Sequence, residues 1–250
     1  LGPFLVIAKA AHAGETQVDE AALARAYGTS SPGRIRRLLD HLERQNARHF
    51  AGRPGNDDLE ARIASYELAF QLQTTAPEAL NLEEESYKTR ELYGVYDPKP
   101  SHKLSVGPAP FARQCLVARR LVERGVRFVQ IYHGGGHQQQ NWDAHYGVEE
   151  NLDIHCPEID KPISALLTDL QQRGLLEDTL VVWGGEFGRT AYCQGGLSRK
   201  NYGRDHHPRC FTVWMAGGGI KPGITYGQTD DYALSRIHIS EPTRPRRRGG

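Results

Sequence analysis

The chain is 250 residues long, 38% hydrophobic and 24% charged, with a formal net charge of +1. That length buries one good core, or one domain with a helical extension, and the near-neutral balance excludes a global pull toward nucleic acid or an anionic membrane surface. No stretch approaches the roughly 20 apolar residues that a bilayer span requires.

Leu1–Ala11 is apolar but has no basic start, and it reads as the middle of a longer gene product with room for an export signal upstream. Residues 1–33 are therefore treated as a truncated, poorly defined N-terminal segment. Ile35, Leu38, Leu39 and Leu42 then fall at i, i+3, i+4 and i+7, the apolar stripe of a helix. Leu59, Ile63, Tyr66 and Phe70 repeat the spacing behind Asn56-Asp57-Asp58, which suits an N-cap. The two read as an antiparallel hairpin turned at Gly52-Arg53-Pro54-Gly55. Glu67 to Tyr93 reads as further helix with a break near Pro77, and Tyr96–Pro110, with four prolines, as a surface loop. Residues 34–110 thus form a helical segment closed by a Pro-rich loop.

From Phe111 the pattern changes. Phe111, Cys115, Ala118 and Val122 mark a helix capped at Gly125. Val126–Tyr132 is an apolar run of strand length, and a polar loop rich in Gly and His runs from His133 to about Ile154. Ile159, Ile163, Leu166, Leu167 and Leu170 make an amphipathic helix stopping at Gly174; Thr179–Trp183 and Phe211–Ala216 are two more strands. This order predicts an α/β core over residues 111–233, a largely parallel sheet flanked by helices, with functional loops leaving the strands' carboxyl ends. Residues 234–250 carry five arginines and no apolar period. Leu234–Pro245 resembles translated sequencing-adapter read-through, so the tail is set apart as non-native, and a nucleic-acid-binding arm is the alternative.

Cys115, Cys156, Cys193 and Cys210 lie too far apart for a zinc ribbon or a thioredoxin-type pair, and free thiols are the favoured reading.

Three segments carry the chemistry. Trp142-Asp143-Ala144-His145 follows the first strand, Gly184-Gly185-Glu186-Phe187-Gly188-Arg189 ends the second, and Gly203-Arg204-Asp205-His206-His207-Pro208 enters the third. Carboxylate oxygens and imidazole nitrogens in such a set suit Zn²⁺ or Mn²⁺ before Ca²⁺ or Mg²⁺. Asp143, His145, Glu186, Asp205, His206 and His207 are the candidate ligands. Taken singly, Asp-x-His also suits a solvated turn, and Glu186 also suits a pair with Arg189. Gly217-Gly218-Gly219 lacks P-loop and dinucleotide spacing and reads as a tight turn, and Gly134-Gly135-Gly136 reads as loop flexibility rather than nucleotide binding.

The runs Thr179–Thr190, Gly203–Pro208 and Phe211–Gly227, with Asp57–Pro77 and Phe111–Tyr132, resemble the DUF1501 family across most of Arg34–Asp231. These sulfatase-like proteins, abundant in planctomycete-type bacteria, are placed in the alkaline phosphatase superfamily. The resemblance implies an alkaline phosphatase-like fold, here incomplete, exported to the periplasm or beyond. It implies a one- or two-metal site hydrolysing sulfate or phosphate esters, with a small-molecule or polysaccharide ester as partner. Asp143 and His145 match the family's Trp-Asp-x-His segment, Glu186 its strand-end carboxylate, and Asp205 and His206 its later Asp-His pair. Arg189 is the residue expected to stabilise phosphoryl or sulfuryl oxygens. The early strand that bears a metal and nucleophile loop in family members has no visible counterpart before Arg34, so no nucleophile is named. A non-catalytic, metal-stabilised binding or structural protein is the alternative.

Overall fold

The computed structural model describes residues 3–10, 32–52, 58, 62, 76–134, 142–185, 187–194, 196–198, 201–232 and 234. Among them, six strands run in chain order: β1 (Phe4–Lys9), β2 (Phe128–Tyr132), β3 (Thr179–Gly184), β4 (Gly188–Arg189), β5 (His206–His207) and β6 (Val213–Gly217). The α-helices are α1 (Pro32–Ala51), α2 (Tyr87–Tyr93), α3 (Pro108–Glu123) and α4 (Val148–Gln172). A further helical stretch at residues 76–80 includes Pro77 and ends before Asn81, and the residues just before it lie outside the described ones. The rest of the expected second hairpin helix, and residues 235–250 of the tail, lie outside the described residues.

The architecture is α/β, but the sheet is not parallel. Its order is β2-β1-β3-β6, and every neighbouring pair is antiparallel. The reason lies in the connections. β2 and β3 are joined through α4 and run in the same direction, as a helical crossover requires. β1 is inserted between them in the opposite sense, with Leu5 facing both Ile131 and Trp183. β3 reaches β6 without a helix, and a return of that kind reverses the strand.

β1 comes from the segment the sequence reading left undefined, yet it is central. Leu5 and Ile7 are fully buried and share a face with Ile131 and Val181. Against this face pack Cys115, Leu116, Ala118 and Val122 of α3 and Ile159, Ile163, Leu166 and Leu170 of α4. The leucine, isoleucine and valine side chains among them each contribute about 1.5–3 kcal/mol by leaving water.

α3 and α4 are tied by buried charge. Arg119, 1% exposed, meets Glu85, Glu123 and Asp169, and the Tyr93 hydroxyl donates to Asp169 at 3.0 Å. α4 begins at Val148, earlier than the expected loop allowed, and carries Pro157 and Pro162 inside it. Each proline forfeits one backbone hydrogen bond, and the apolar face packed on the core offsets the loss. The Pro-rich loop is also less superficial than expected, since Ser105 is 1% exposed. All four cysteines are free thiols, with Cys115 buried. No described helix is long and apolar enough to cross a membrane.

Candidate metal centre

Because β2 and β3 run the same way, their carboxyl ends lie at one end of the sheet. Antiparallel β6 begins at that end too, with Gly184 beside Val213 and Phe4 beside Tyr132. The loops that follow β2 and β3 and the one that enters β6 are therefore neighbours.

Two short strands finish the assembly. Gly188 pairs with His207 and Arg189 with His206. Successive residues of a strand point to opposite sides, so His206 and His207 diverge. His206 Nε2 lies 3.0 Å from Asp143 Oδ1, whereas His207 Nε2 donates to Leu234 O at 2.7 Å. From the loop after β2, His145 Nε2 lies 2.8 Å from the same Asp143 oxygen. The imidazoles of His145 and His206 meet edge to face, 5.2 Å between centroids.

One ligand atom each from Asp143, His145 and His206 falls within 4.8 Å of the other two. In a tetrahedral centre with bonds of about 2.0–2.1 Å, ligand atoms stand about 3.3 Å apart. The separations of 2.8 and 3.0 Å to Asp143 already approach that spacing. The trio is partly buried, so an ion there would be sheltered and still reachable. The donor set and its spacing fit a divalent metal of the zinc type.

The other expected residues divide. Asp205 Oδ1 is 3.8 Å from His145 Nδ1 but its side chain is 52% exposed. Its Oδ1 instead accepts the His206 N–H at 2.8 Å. Glu186 lies outside the described residues. Arg189 is bound into the scaffold: Nη1 donates to Asp143 Oδ1 at 3.0 Å and to Arg204 O at 3.2 Å, and Nη2 to Trp142 O at 3.2 Å. His207 stands aside from the trio.

Sequence reasoning did not find Gln194, whose side-chain oxygen faces His145 Nδ1. A glutamine on a loop carries no signal of that role. Two glycines are required by close approach. A Cβ on Gly203 would sit 1.9 Å from the His145 carbonyl, and one on Gly188 would sit 1.4 Å from Cys210 O. A cavity of about 330 Å³ is lined by Ala191, Cys193, Leu197, Ser198, Tyr202 and Arg204, none of them a member of the trio.

A second polar cluster lies beneath, in the core. His133, His155 and Glu158 are 3%, 0% and 1% exposed. Glu158 Oε2 accepts from His155 Nδ1 at 2.9 Å and faces His133 Nε2 at 3.4 Å. Its Oε1 accepts from the Ser105 hydroxyl and from the Gly107 N–H at 2.8 Å. Burial pushes the His133 imidazole down to about 4. Burial alone would raise Glu158, but its hydrogen bonds from His155, Ser105 and Gly107, with the charge of His133, hold it at about 2.

A family model described as "Protein of unknown function (DUF1501)" matches residues 8–242. The match begins at Ala8, near the end of β1, and extends beyond the Arg34–Asp231 span of the resemblance. No curated protein and no solved structure matches the chain.

Proposed function

The chain belongs to the DUF1501 family, and we propose that it is a metal-dependent hydrolase of sulfate or phosphate esters, with Asp143, His145 and His206 as ligands of a divalent ion. The observation that carries the reading is the convergence of one carboxylate oxygen and two imidazoles from separate loops. Zn²⁺ and Mn²⁺ suit this donor set before Ca²⁺ and Mg²⁺. Hydrolysis itself is argued from the sequence resemblance to sulfatase-like proteins, as is export to the periplasm or beyond.

Bound at the trio, such an ion supplies Lewis acidity toward an ester oxygen and lowers the pKa of an attacking group. The protein's own part is positional. Arg189 holds the Asp143 carboxylate and the Trp142 carbonyl together, and keeps a cationic guanidinium where phosphoryl or sulfuryl charge would develop. The cavity with Arg204 and Tyr202 on its wall takes the organic part of a small-molecule or polysaccharide ester. Nucleic acid is not the partner in this reading.

The non-catalytic alternative keeps the same trio as a structural metal site. The two readings separate in an assay of 4-nitrophenyl sulfate and 4-nitrophenyl phosphate with zinc- or manganese-loaded protein. The hydrolase reading expects turnover that is lost in His206→Ala. Stoichiometric metal without turnover of either ester would leave the structural reading standing.

A further inference from the structure

We infer that His133, oriented by Glu158, is a positioning residue for the metal centre, acting through the indole of Trp142. The inference rests on the metal reading of Asp143, His145 and His206, and deepens it by naming what holds the Asp143 arm in place.

The argument is one of proton placement. A carboxylate only accepts hydrogen bonds, so each imidazole beside Glu158 turns a protonated nitrogen to it. His155 does so with Nδ1, 2.9 Å from Oε2. His133 turns Nε2 toward the same oxygen from 3.4 Å, an electrostatic contact rather than a hydrogen bond. A neutral imidazole carries one proton, and His133 is held neutral by burial. Its Nδ1 is then a bare acceptor, and the Trp142 Nε1–H, which only donates, points at it from 2.9 Å. Glu158 thus selects the tautomer that Trp142 needs.

Trp142 passes this constraint on through the backbone. Its carbonyl accepts from Arg189 Nη2, and the next residue, Asp143, accepts from Nη1 of the same guanidinium. The Trp142–Asp143 peptide is therefore pinned on the core side by His133 and on the surface side by Arg189. Phe111 fixes the His133 ring edge to face at 5.1 Å, and His155 packs on Trp142 with centroids 5.3 Å apart.

A purely structural role explains the cluster less well. Burying a carboxylate with two imidazoles costs stability against an apolar core of the same volume. Here His133 Nε2 and His155 Nε2 are both left without a hydrogen bond among the described residues. The arrangement is the one found behind metal ligands, where outer groups orient the inner ones at 10–100-fold in affinity.

The test measures Zn²⁺ affinity by competition with a chromogenic chelator, with thermal melts to confirm folding. Trp142→Phe and His133→Leu should each weaken zinc binding about 10-fold. The double variant should be no weaker than either single one, because both break the same link. His133→Asn, whose amide oxygen replaces the Nδ1 acceptor, should keep most of the wild-type affinity. Unchanged zinc affinity in folded Trp142→Phe, or losses that multiply in the double variant, would overturn the inference.

If the wild type takes up no zinc, the metal reading fails separately. The link is then read from the indole N–H resonance of Trp142 by NMR. It should move in Glu158→Gln, where the His133 tautomer is no longer selected, and an unmoved resonance would sink the positioning role.

Discussion

Acid should unfold this protein earlier than its surface carboxylates alone require, because His133 is buried neutral. Burial lowers its imidazole from 6.5 to about 4. Between those values the unfolded chain binds a proton that the folded chain refuses, so stability falls as pH falls. The contribution is complete above pH 6.5 and is lost progressively down to pH 4. At 1.36 kcal/mol for each pH unit, the gap makes about 3 kcal/mol. His133 is 3% exposed, so solvent screening takes little from that figure. Glu158, held at about 2, acts in the same direction but in a lower window, from 4.5 to about 2. Urea unfolding at pH 7, 5.5 and 4 checks this for the wild type beside His133→Asn, which cannot titrate. The wild type should lose about 3 kcal/mol more than the variant between pH 7 and pH 4. Equal losses in the two proteins would refute the claim that burial keeps His133 neutral.

Other perturbations test the fold and its links to the site. Leu5→Ala, in the fully buried centre of β1, should cost about 2–5 kcal/mol in chemical denaturation; a loss under about 1 kcal/mol would argue against a central β1. Arg119→Met removes the cation shared by Asp169 and Glu85, which keep Arg173 and Arg120 as partners, and should cost about 1–3 kcal/mol by the same measurement. Gly203→Ala drives a methyl group into the His145 carbonyl. It should weaken zinc binding at least about 10-fold while the sheet's circular dichroism is kept.

Much of the core was legible because its signals are local. Phe111, Cys115, Ala118 and Val122 recur on one helical face, and Gly125 closes that helix with φ at 88°. The strand sense was not legible in the same way. A helix between β2 and β3 does imply that those two run together, and they do. What sequence pattern does not disclose is a third strand, Phe4–Lys9, slotted between them from far away in the chain. Five apolar residues followed by a lysine look the same whether they sit at an edge or at a centre. Residues 148–154 read as part of the polar loop, yet tertiary packing draws them into the first half of α4.

The site divides along the same line. Asp143, His145 and His206 were visible because metal-binding side chains on loops at strand ends are conspicuous, and the sheet brings those ends together. His207 carries the same chemistry one residue on, but the two-residue strand His206–His207 turns it away. Glu158 and His155 gave no functional signal because i, i+3 polar residues on a helix usually face water. Only the burial of that face by the core and the Ser105–Gly107 loop shows what they do.

Elemental analysis of the purified protein tests the central claim most directly. Wild type would be measured beside Asp143→Ala, His206→Ala and, as a control from the same two-residue strand, His207→Ala. The account expects one or more equivalents of zinc or manganese in the wild type and in His207→Ala, and a loss in the other two with the fold retained. Folded wild type without metal, or metal that persists in both Asp143→Ala and His206→Ala, would contradict it.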